Sequence, residues 1–390
     1  MMISFHFAHQ LICHNQQSNM KKITSFLKDP KIFVVTIIWM MVIVTIGTIQ
    51  QKYHGLFTVQ ERYFSSWIIW FSFLPTPGGR LTLIVMLINL SFFFFNKSIW
   101  KIKKLGIVVI HLGAILLLVG GGLTAIFSSE GNMVIDEGKQ ANHVEDYFYF
   151  ELAVINTSKS DFDEYTVFDQ PLFEENQILT HKNLNFEIEI INYFDNCQPL
   201  QRNSAPKMQY KGMLKNIMLQ KIPSEKEENR NRPGIIYQIS NSGSNADGVY
   251  ANFLNQAIPQ TVSIQDESYE IVLRRKRTYL PFSIQLIDFK KVLHPGTNIA
   301  KSYSSEINLL EYGTSRNIII KMNEPLRHKG YTFYQSSFID GSSIETTVLA
   351  VVKNYGRLYP YISSIIMCIG LLFHLTIKLP NLFKKVKTEP

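Results

Sequence analysis

The sequence predicts an integral membrane protein, with four transmembrane α-helices and one large extracytoplasmic β-rich domain between spans three and four. Three observations predict it: long uncharged apolar runs, lysines gathered at the ends of those runs, and a long middle section of ordinary polarity with strand-like alternation. Of the 390 residues only 18% are charged, against roughly 25% in a typical soluble chain. The net charge of +8 would suit nucleic acid only if the basic residues shared a folded face. Instead, twelve lysines sit beside the apolar runs against Asp29 and Glu389, which leaves the rest of the chain slightly acidic.

The first span runs from Ile32 to Ile49 and the second from Leu81 to Phe95. The third runs from Leu105 to Phe127 and the fourth from Tyr359 to Ile377. A helix needs about 20 apolar residues to cross the hydrocarbon core. Residues 64–74 hold a further Trp-rich apolar stretch, stopped by Pro75, Pro77, Gly78 and Gly79, and it reads as an interfacial helix at the level of the lipid headgroups. Lys21, Lys22, Lys28 and Lys31 precede span one; Lys97, Lys101, Lys103 and Lys104 join spans two and three; Lys378, Lys384, Lys385 and Lys387 follow span four. The positive-inside rule puts all three groups in the cytoplasm.

The expected organisation is therefore a cytoplasmic N-terminus over 1–31, three spans over 32–127, an outside domain over 128–356, a fourth span over 357–379 and a basic cytoplasmic tail over 380–390. Met20-Lys21-Lys22 reads as a start, which makes Met20 the expected initiator.

In the outside domain, runs from Phe186, Tyr269, Phe282 and Asn317 alternate like strands. Pro295-Gly296 and Asp340-Gly341 mark turns, and the segments from Ser224 to Gly234 and from Ser240 to Gly248 read as loops. Residues 151–269 carry no pattern that fixes their fold.

Among residues that could carry chemistry, His111 stands out, because an ionisable side chain inside a span is costly and marks a functional position. Neutral imidazole ligates metals, haem iron included. The bland alternative is a histidine hydrogen-bonded to a neighbouring helix. Gly106, Gly113 and Gly120 to Gly122 on the same helix would allow close approach of a helix or a flat ligand. His374, near the inner end of span four, is a second candidate whose position favours an interfacial role.

The outside histidines His54, His143, His181, His294 and His328 show no metal-ligand spacing and read as surface or turn residues. Cys13, Cys197 and Cys368 are too far apart in sequence for a disulfide framework or zinc site, and Cys197 reads as a buried free thiol. The basic run Arg274 to Arg277 lies in an apparent strand, where alternate residues face opposite ways. The aromatics Tyr331, Phe333, Tyr334 and Phe338 read as sheet core. No triad, phosphate loop or dinucleotide fingerprint is present, so the chain carries no self-contained active site.

Two blocks give the chain a family likeness. One is LGIVVIHLGAILLLVGGGLTAIFSSEGNMVIDEG from Leu105. The other comprises PFSIQLIDF from Pro281, NEPLRHKGYTFYQSSF from Asn323 and VKNYGRLYPYISSIIMCIGLLFH running into span four. Together they resemble ResB (CcsB), the four-span subunit of System II cytochrome c biogenesis.

The resemblance implies a bacterial inner-membrane protein with cytoplasmic termini and a periplasmic domain. It implies work with a ResC (CcsA)-type membrane partner that moves haem b outward for thioether attachment to apocytochrome c. A thiol-reducing, thioredoxin-like helper and membrane lipid are further expected partners, and nucleic acid is not one. His111 matches the family's axial haem ligand. Lys101, Lys103 and Lys104 are candidate contacts for the haem propionates. The partner's Trp-rich haem-handling motif is absent, so attachment chemistry is expected to need that partner, with this chain at most a co-catalytic subunit of a haem lyase. The competing expectation is a membrane-anchored sensor or scaffold without haem.

Overall fold

The computed structural model describes residues 22, 24–159, 161–203, 209–297, 300–340 and 344–386. Cys13, Met20, Gly341 and the last residues of the basic tail lie outside the described residues. The chain divides into a helical unit, Met1–Ser128 with Asn354–Pro390, and a strand unit, Ser129–Lys353.

Four long helices form the helical unit: α1 (Pro30–His54), α2 (Gly79–Phe94), α3 (Leu105–Phe127) and α4 (Tyr359–Val386). Asp29 caps α1 by accepting from Lys31 N at 2.9 Å, and Pro30 occupies the first turn, where its missing N–H costs nothing. By length and composition α1, α3 and α4 can cross a membrane. The second expected span is a helix of only 16 residues, about 24 Å at 1.5 Å per residue. Asn89 anchors it to the start of α1, donating to Leu27 O at 2.6 Å and Asp29 O at 2.9 Å.

The interfacial helix expected over 64–74 is not there. A short helix (Leu56–Val59) and a π-turn (Gln60–Phe64) lead into an antiparallel hairpin of β1 (Ile68–Phe71) and β2 (Leu74–Pro77). The residues explain the correction. Ile68 to Phe71 alternates outward and inward, with Ile69 buried between exposed Ile68 and Trp70. Ser72 takes the left-handed conformation at the tip, φ 56°, and Pro75 and Pro77 cannot donate inside a helix.

α3 and α4 pack antiparallel through small residues spaced by seven: Gly106, Gly113 and Gly120 on one side, Gly370, Ser363 and Gly356 on the other. A β-carbon added at Gly106 would lie 2.5 Å from His374 N and 2.6 Å from Gly370 O. Their absence lets the two backbones touch. Gly121 and Gly122 face open space.

The strand unit contains β3 (Ser129–Asp136), β4 (Gln140–Asn156), β5 (Glu164–Asp169), β6 (Ile178–Leu179), β7 (Glu187–Phe194), β8 (Cys197–Gln201), β9 (Ile217–Lys221), β10 (Gly234–Ser240) and β11 (Gly248–Phe253). It continues with β12 (Gln260–Ile264), β13 (Glu267–Leu293), β14 (Ala300–Glu311), β15 (Thr314–Lys321), β16 (Leu326–His328), β17 (Tyr331–Asp340) and β18 (Glu345–Lys353). The main sheet runs β15-β14-β13-β4-β3-β18-β17-β16, with β12 on β13 and β5 on β4. A second sheet, β11-β10-β7-β6, and the pair β8-β9 come from the segment whose fold the sequence left open.

The strands expected from Tyr269 and from Phe282 are one 27-residue strand. Pro281 lies where β13 shifts register against β4, between Tyr279 and Ile284, so the strand tolerates it. Leu152, Ile271, Ile188 and Tyr237 belong to one core and Leu286, Ile307, Phe333 and Leu349 to another, with β13 contributing to both.

Candidate functional site

His111 sits in the second turn of α3, half-buried. Its Nδ1 lies 2.7 Å from Ile107 O. A carbonyl oxygen only accepts, so Nδ1 carries a proton, and in the neutral ring Nε2 holds the lone pair. Nε2 makes no hydrogen bond among the described residues. One ring nitrogen is thus fixed by a backbone carbonyl of its own helix and the other is free, which leaves it able to act as a ligand. The ring stacks on Phe93 of α2, with centroids 4.9 Å apart and planes 23° from parallel. Around the helix His111 stands about 140° from Gly106 and about 160° from Gly113, away from the face that α4 covers.

His374 is not brought to His111: its backbone packs against Gly106 in the α3–α4 seam. Lys101, Lys103 and Lys104 are exposed, in and beside the 3₁₀ turns that lead into α3. Lys104 precedes His111 by seven residues, about 10 Å along the axis. Sequence reasoning passed over Phe93 and Asn89. An amide inside an apolar run was the available signal for Asn89; for Phe93, within four consecutive phenylalanines, there was none.

In the strand unit the basic run is consumed by pairing. Arg274 Nε donates to Glu151 at 2.7 Å, Lys276 pairs with Asp169 at 2.7 Å and Arg277 pairs with Glu145 at 2.9 Å. Arg275 donates to the Asp146 and Tyr147 carbonyls. Nearby His143 and Arg277 hold the Glu145 carboxyl below its ordinary range, against the burial that pushes it up.

His328 departs from the expected surface role. It pairs with Glu311 at 2.9 Å and meets the Phe282 ring edge-on at 4.8 Å. Lys329 first and His328 second keep Glu311 ionised below the usual carboxylate range. Cys197 is buried and free, and burial pushes its thiol up to about 11, so it is un-ionised and inert at neutral pH. Tyr331 and Phe333 are core, as expected. No group of metal-binding side chains forms among the described residues.

The sequence matches the ResB-like family over residues 101–166 and 253–348. Over these two stretches the chain is similar to the ResB-like family. The first matched stretch of this ResB-like protein holds α3 with His111, together with β3 and β4; the second holds β12 to β17. The lobe of β6 to β11 falls almost wholly outside both. Protein NrfI of Wolinella succinogenes is 21% identical over 300 residues, which is 75% of this chain and 29% of that protein. The ResB-like chain thus spans under a third of that relative's length.

Proposed function

We propose that this ResB-like chain acts in cytochrome c biogenesis as the haem-delivering subunit of a System II complex. It would work in the inner membrane with a ResC/CcsA-type partner, with both termini cytoplasmic and the strand unit outside. The observation that carries the reading is the unshared Nε2 of His111, offered from an apolar helix beside a flat aromatic ring. Haem is the cargo: planar, apolar on its faces and anionic at its propionates. Nε2 would hold the haem iron, Phe93 would shield one side of the imidazole, and the partner would complete the iron's ligand set. Lys101, Lys103 and Lys104 stand nearer the helix start, where a lysine meets a propionate.

Attachment to apocytochrome c, with any thioredoxin-like helper that keeps its thiols reduced, takes place outside and with the partner. The test is the yield of haem-stained c-type cytochrome in cells carrying His111→Ala in place of the wild type. The reading expects that yield to be lost while the protein still accumulates in the membrane. Unchanged yield overturns it.

A further inference from the structure

The hairpin of β1 and β2 does not stand beyond the end of α1; it lies alongside it. Trp39 Nε1 donates to Pro77 O at 2.8 Å. Ile69 packs with Ile43, and Phe71 packs against that same cluster. Phe64, just before the hairpin, fills the space over Gly47. Trp39 to Gly47 spans about 14 to 26 Å along α1 from Pro30, inside the apolar run that ends at Ile49. α2 starts at Gly79 and has descended to the base of α1 by Asn89, so it covers only the lower part of that height. The hairpin covers the next part.

The edge of β2 is built without donors. Gly78 N donates to Trp67 O at 2.8 Å, which makes 67/78 a hydrogen-bonded pair. Pairs alternate in an antiparallel ladder, so 69/76 and 71/74 bond inward and positions 68, 70, 75 and 77 point outward. On β2 those outward positions are Pro75 and Pro77, which have no N–H to leave unsatisfied. The outward carbonyl of Pro77 is taken by Trp39. On β1 the same alternation turns the Ile68 and Trp70 N–H groups outward, so the donor-free edge is that of β2 alone.

The outward face is Ile68, Trp70, Pro75 and Pro77, all exposed, with Leu74 beside them and Phe73 at the tip 86% exposed. None is charged. Charge returns only at the base, where the Arg80 guanidinium lies 5.9 Å over the Trp67 ring.

We propose that this hairpin is a lipid-facing element, its outward face set in the acyl region of the bilayer around α1. Lipid is the occupant because the same bilayer covers the exposed Ile38, Met41, Val42 and Val44 of α1 at the same height. Proline on a strand edge also discourages pairing in water, so the experiment separates lipid from water and from protein.

The full chain carrying Trp39→Phe, Trp67→Phe and Trp100→Phe, reconstituted in phosphatidylcholine vesicles, leaves Trp70 as the sole indole. Lipid brominated on acyl carbons should remove most of its fluorescence, while aqueous iodide removes little. Strong quenching by iodide without quenching by brominated lipid overturns the proposal in favour of water. Quenching by neither overturns it in favour of a covering protein surface. Should the triple variant fail to fold, a nitroxide on Phe73→Cys at the exposed tip, with Cys13, Cys197 and Cys368 replaced by Ser, gives the same reading: greater collision with oxygen than with a nickel chelate supports lipid, and the reverse contradicts it.

Discussion

Between α3 and α4 the contact is glycine against glycine and serine, with Gly106, Gly113 and Gly120 facing Gly370, Ser363 and Gly356. Around α1 it is side chain to backbone: Asn89 of α2 to the Leu27 and Asp29 carbonyls, and Trp39 to Pro77 at the end of the hairpin. Both pairs come from apolar sequence, so hydrophobicity alone does not decide which helices meet. In lipid, association rests on close packing and on hydrogen bonds, and each pair relies on one of them. The difference also sets what each pair can expose. The α3–α4 seam consumes one face of α3 and leaves the His111 face to α2, whereas the looser α1–α2 side admits a hairpin.

The comparison breaks most readily at the seam. Gly106→Val puts a branched side chain against the His374 and Gly370 backbones, and Gly113→Val puts one 2.5 Å from Met367 Cγ and 2.9 Å from Ser363 O. Neither backbone can yield without parting the helices, so each should cost about 3 kcal/mol or more, read as a large fall in the denaturation midpoint of the full chain in SDS titration. Asn89→Leu removes two hydrogen bonds from the other pair and should cost about 1 kcal/mol by the same titration. Trp39→Phe removes one and should cost roughly 0.6 kcal/mol. Gly121→Ala, one residue from the seam but facing open space, should stay within about 0.5 kcal/mol of the wild type. If Gly121→Ala and Gly106→Val behaved alike, the seam would not be where the glycines place it.

Much of this was legible in the residues. The long apolar runs became α1, α3 and α4, and the seven-residue spacing of Gly106 and Gly113 was visible at once. Its complement in Ser363 and Gly370 was not, because it needs the antiparallel register of two helices separated by the whole strand unit. The segment from Trp67 was misread because a short apolar run does not tell strand from helix by hydrophobicity alone; the evidence lay in the prolines and in Ser72. The basic run Arg274 to Arg277 could be discounted from alternation, but its partners Glu151, Asp169 and Glu145 lie over a hundred residues away. His111 was found from the cost of burying it, and its tautomer needed the structure, since only geometry shows that Ile107 O takes Nδ1.

The account turns on that free nitrogen. The most direct measurement is the absorption spectrum of the purified chain with its partner, wild type against His111→Ala. The account predicts a haem Soret band in the wild type that His111→Ala loses and added imidazole restores. A band unchanged by the substitution would contradict it.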